Sequence, residues 1–114
     1  MSARSAATDR ARVIELLRYV ASVLTSEGER NWIRGIVSVL EVVEDGGLED
    51  LDALKKADAF YRTMFGPGGF GDFFIWRDAV EERTEANREY EAATEELWRL
   101  LEKRRGSTRF LRRG

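Results

Sequence analysis

An all-α bundle of about four helices with a long, charged final helix is the fold that this sequence predicts, on three observations. Apolar residues recur at spacings of three and four in successive segments. Glycine and proline fall mainly between those segments. From about Arg77 to Arg105 the composition favours helix, with no Gly or Pro to interrupt it. A chain of 114 residues is enough for one compact domain and too little for two. That domain is expected over 1–105, with a flexible basic tail at 106–114.

The first helix is expected from Thr8 to about Ser26, where Val13, Leu16, Leu17, Val20, Val23 and Leu24 form one stripe. Thr8 or Asp9 can cap its start, and Gly28 is placed to stop it in the left-handed conformation. A second helix is expected from Asn31, as N-cap, to Glu44, with Trp32, Ile33, Ile36, Val37, Leu40 and Val43 apolar. Gly35 and the β-branched residues leave a strand open there. Helix is preferred because Arg34, Ser38, Glu41 and Glu44 follow a period near 3.6.

Asp45-Gly46-Gly47 is the clearest connection. A third helix follows, with Leu48, Leu51, Leu54, Ala57, Tyr61, Met64 and Phe65 as its apolar positions. Four glycines and the only proline then break the helix between Gly66 and Asp72. Phe73-Phe74-Ile75-Trp76 reads as a strand or as the first turn of the last helix. Along that last helix Val80, Asn87, Tyr90, Thr94, Leu97 and Leu101 approximate a heptad seam, polar in its middle, which a second chain could cover. Gly106 and Ser107 are expected to end it. Trp32, Trp76 and Trp98 are expected in the core or half-buried.

The chain has no His and no Cys. Zinc fingers, Cys-His and Ser-His-Asp catalysis, thiol redox pairs and disulfides are therefore closed. A hydrophobic fraction of 43% with 11% aromatics can build a core, so the charged 35% reads as surface and not as disorder. Charge is unevenly spread. From Arg99 onward there are seven basic residues and one acid, against 12 basic and 20 acidic residues before it.

No apolar run approaches the ~18 residues of a membrane span, and no signal-peptide core stands at the N-terminus. A cytoplasmic location is expected, with no membrane partner.

Gly66, Gly68 and Gly71 match Gly-x-Gly-x-x-Gly. The loop follows a helix, however, lacks a Gly-Lys-Ser/Thr ending, and carries Asp72, which would repel a phosphate. A tight crossing between helices, with Asp72 as a cap, explains it more simply. A recognition role also fits, since Phe65, Gly66, Gly68, Gly69, Phe70, Asp72 and Trp76 gather aromatics around a rigid turn.

The acids of the last helix select no metal site, and Asp45–Lys56 fails as a calcium loop because its twelfth residue is Lys56. No cofactor is expected. The basic tail, with Phe110, could meet nucleic acid, but the acidic body argues against it.

Glu29-Arg30-Asn31-Trp32-Ile33, followed by Phe65-Gly66-Pro67-Gly68-Gly69-Phe70-Gly71-Asp72-Phe73-Phe74, resembles a family of small bacterial helical proteins of unknown function. That family pairs an early Trp-containing helix with a Phe-Gly-Gly-x-Gly turn. Its members tend to be encoded near polymorphic toxins, and some are suspected immunity proteins. The resemblance covers about residues 13–76, with Pro67 inside the turn as a departure.

The expected function is thus a non-enzymatic protein-binding module; the resemblance implies a toxin as partner, and the acidic body suits a basic one. The alternative is an assembly subunit that forms a homo-oligomer through its last helix. An enzyme working with carboxylates and a bound metal ranks below both.

Overall fold

The computed structural model describes residues 3–65, 69, 73 and 75–113, with side chains from residue 6 to residue 104 among them. Four helices follow in order: α1 Ala3–Ser26, α2 Ile33–Val43, α3 Asp50–Arg62 and α4 Val80–Arg113. No strand occurs among the described residues, and the all-α bundle that the periodicity predicts is the architecture found. α1 touches each of the other three helices, and α3 packs on both α2 and α4.

α1 starts at Ala3 instead of Thr8. Alanines 3, 6 and 7 favour helix, and Ala6 is buried against the core. Asp9 is therefore an interior helical residue and not a cap. At the other end Gly28 has φ of +73°, its N–H donates to the Thr25 carbonyl, and the N–H of Glu29 donates to the Leu24 carbonyl. This pair of bonds is the Schellman stop expected of glycine at that position.

α2 is a helix and not a strand, with Ile36, Val39 and Val43 buried at helical spacing. It begins two residues later than expected, and Asn31 does not cap it. The Glu29 carboxylate accepts from the backbone N–H groups of Asn31 and of Trp32, the latter at 3.1 Å. Gly35 weakens α2 as an isolated helix but makes room for a neighbour. A Cβ there would lie 2.9 Å from the Met64 methyl carbon.

α3 is shorter than its apolar pattern, because Met64 and Phe65 pack on the core from the turn beyond it. Arg10 organises the link between α2 and α3 from outside. Its guanidinium donates to the carbonyls of Val43 at 2.7 Å, Leu48 at 2.9 Å and Asp45 at 2.7 Å, and to the Asp50 carboxylate at 3.0 Å. The last carbonyls of a helix and of a glycine turn thus find a charged donor.

α4 begins at Val80, later than Arg77, and continues through Gly106 and Ser107 to Arg113, past the expected end. One glycine costs a helix only about 1 kcal/mol relative to alanine, and the residues flanking it are mostly good helix formers. At ~1.5 Å per residue its 34 residues match the 51 Å long axis of the molecule.

Most of the seam that was expected to face a second chain faces the chain's own core: Asn87, Tyr90, Leu97 and Leu101 are buried, Thr94 is half-buried, and only Val80 at its start is exposed. Asp9 bonds Arg104 at 2.6 Å and Lys103 at 3.1 Å, and Arg12 forks onto Glu96 at 2.8 Å. These pairs fix α4 antiparallel to α1.

Candidate functional site

The segment between α3 and α4 is where the sequence places recognition chemistry, and side chains from both helices hold its described residues. Phe65 is half-buried, stacks on Trp98 with centroids 5.0 Å apart, and meets the edge of Tyr61 at 5.1 Å. Such contacts add to simple burial, so Phe65 is a packing residue that orients the start of the turn. Gly69 is buried. Gly66, Gly68, Phe70 and Asp72 lie outside the described residues.

Beyond the turn the described residues, 73 and 75–79, are neither strand nor helix, and Phe74 lies outside the described residues. Phe73 packs edge-on against Tyr90 at 5.4 Å. Ile75, 2% exposed, is held at both backbone groups by one side chain: its N–H donates to Asn87 Oδ1 at 2.9 Å and its carbonyl accepts from Asn87 Nδ2 at 2.8 Å. Asn87 Nδ2 also donates to the Arg83 carbonyl at 2.9 Å. A buried amide thereby does for one residue what a neighbouring strand would do. Arg77 forks onto Glu27 at 2.9 and 2.6 Å, a pairing that holds the Glu27 carboxyl below its ordinary range and ties the segment to the end of α1.

Pinned on either side, Trp76 projects outward. It is 61% exposed, which corrects the expectation of a buried or half-buried indole. The Arg83 guanidinium lies 4.2 Å from its ring centroid, a cation–π contact that restrains the ring. Val80, 59% exposed, is one helical turn before Arg83 and shares its face. Sequence reading picked out Trp76, placed Val80 only in the seam of the last helix, and missed Arg83. The Trp-x-x-x-Val-x-x-Arg spacing, with acids on either side, was the available signal.

Two shallow grooves flank α4. The one against α1, of about 450 Å³, has Leu16, Tyr19, Ala92 and Ala93 in its floor and Arg12, Glu15, Glu89 and Glu96 at its rim. Arg12 depresses the Glu96 pKa by hydrogen bonding, while burial, followed by the Glu89 charge, raises that of Tyr19. The other, of about 510 Å³, runs along Thr84, Arg88, Glu91 and Glu95. Among the described residues no three acids converge to hold a metal ion, and no helix is long and apolar enough to cross a membrane. No family model, curated protein or solved structure matches the chain.

Proposed function

We propose that this chain is a non-enzymatic protein-binding module that takes a cationic protein partner on the face formed by Trp76, Val80 and Arg83. The observation that carries the reading is the exposed indole held by Arg83 beside an exposed valine. Aromatic anchors of restrained geometry with a polar rim are the usual energetic centres of protein interfaces. Charge supports the sign of the partner, since residues 78–96 carry eight acids and two arginines. Such a field speeds encounter with a basic protein and disfavours an acidic one. A toxin that the chain neutralises is the partner class implied by the resemblance of the Trp32 and Gly66–Asp72 segments.

The test compares capture by the wild type with capture by Trp76→Ala from nuclease-treated extract of the native cell. At 61% exposure the substitution leaves the fold intact, so a stoichiometric basic protein should be retained by the wild type and lost by the variant. Co-expression should then suppress any toxicity of that protein. Equal capture by the folded variant would remove Trp76 from the interface and end this reading.

A further inference from the structure

The outward side of α4, opposite its buried Asn87, Tyr90, Leu97 and Leu101, carries an ordered series of exposed residues: Glu81, Glu85, Arg88, Ala92, Glu95, Arg99 and, at its edge, Lys103, which also reaches Asp9 of α1 at 3.1 Å. Their spacing of three and four keeps them on one stripe of the helix. Glu85, Arg88, Glu95 and Arg99 have side chains 58%, 67%, 70% and 63% exposed. A solvated stripe needs no order in its signs. Here the order reverses about Ala92. Glu85 and Arg99 lie seven residues to either side, Glu81 and Lys103 eleven, and Arg88 and Glu95 four and three.

We infer that this stripe is a self-recognition surface on which a second copy of the chain crosses α4 in a near-antiparallel orientation at Ala92. In that arrangement Glu81 faces Lys103 of the second copy, Glu85 faces Arg99, and Arg88 faces Glu95, each twice by the two-fold axis. A parallel arrangement in register would set every charge against its own sign, so the pattern selects the orientation as well as the partner. Ala92 at the crossing lets the helices approach to the 8–10 Å of packed pairs. Arg88 already bonds Glu85 at 2.7 Å, and Arg99 approaches Glu95 at 3.6 Å, within the one helix. Association would therefore extend existing pairs into a network.

Arg88, Ala92 and Glu95 of this surface line one groove with Arg83, but the inference uses neither Trp76 nor Val80 and is independent of the function proposed above. Exposed ion pairs are individually weak, so the dimer is a transient one whose affinity falls as salt screens it.

Sedimentation velocity over a concentration series tests this, run at ionic strengths of about 0.01 and 1 M, where the Debye length is about 30 and 3 Å. The wild type should be a monomer–dimer equilibrium at low ionic strength and a monomer at high. Glu85→Arg and Arg99→Glu should each weaken association about tenfold, by setting like charges together at two places. The double variant should restore it, because each new charge meets its opposite across the axis. If circular dichroism shows that either single variant has lost helix, the Arg88→Glu and Glu95→Arg pair replaces it in the same cycle. A monomer at every concentration at low ionic strength, or a double variant no tighter than its parents, would overturn the assignment.

Discussion

Asn87 is a polar residue on the face of α4 that would otherwise be apolar, and its surroundings explain its place there. Its three amide hydrogen bonds are directed at the backbone of Ile75 and at the Arg83 carbonyl. Without it the N–H and carbonyl of Ile75 would be buried and lack these partners, at about 1–3 kcal/mol each. Asn87→Ala is thus expected to destabilise the fold by about 3 kcal/mol, read from the midpoint of urea unfolding. A loss below about 1 kcal/mol would mean that water replaces the amide equally well. In the sequence Asn87 was visible only as a polar gap in a heptad-like seam. Its purpose depended on a partner twelve residues away in an irregular segment, which periodicity does not reveal.

Among the elements, the four helices were legible because each buries a stripe at the 3.6 period, and the Schellman stop at Gly28 was legible because glycine there has one economical conformation. The boundaries were less so, since distant residues set them. Glu29 ties down the N–H groups of Asn31 and Trp32 just ahead of α2. Ala6 lengthens α1 through packing, and Met64 fills the space left by Gly35 from beyond α3.

Arg10 is the strongest case of such remote control. Its pattern-level reading is a solvated cation, yet its side chain is only 14% exposed and joins α1 to both ends of the α2–α3 link. Arg10→Met keeps the packing of the stem and removes the donors. It should cost about 3 kcal/mol, since hydrogen bonds from charged groups are worth roughly 1.5–3 kcal/mol. Hydrogen exchange should show residues 45–50 losing protection more than the middle of α1; a uniform loss would assign Arg10 to global packing instead.

For the molecule as a whole, the absence of histidine and cysteine has a measurable result. Glu27 and Glu96 have folded pKa values depressed by Arg77 and Arg12 respectively. Their contribution is present above the unfolded carboxylate range of about 4 and is lost as pH falls through the lower folded values. Tyr61 and Tyr90 are raised, mainly by burial. Their contribution is complete below about 10 and is lost as pH rises through the higher folded values. Thermal unfolding midpoints should therefore form a plateau from about pH 5 to 9, falling on both sides. A step between pH 6 and 8 would contradict this assignment of the titrating groups.

At this scale only part of the candidate site was legible. The aromatics around the glycine turn were visible as a group, but whether each turns inward, as Phe65 does against Trp98, or outward, as Trp76 does, depends on tertiary packing.

The Asp9–Arg104 pair has a practical consequence for handling the molecule. It gathers the start of α1 and the later part of α4 at one end of the bundle, whereas Arg77 meets Glu27 at the other. Asp9 and Glu27 are separated along α1 by about 27 Å at 1.5 Å per residue. A label placed on an exposed side chain beside the Asp9–Arg104 pair would thus stand at the end of the bundle remote from Trp76 and leave the indole facing the medium.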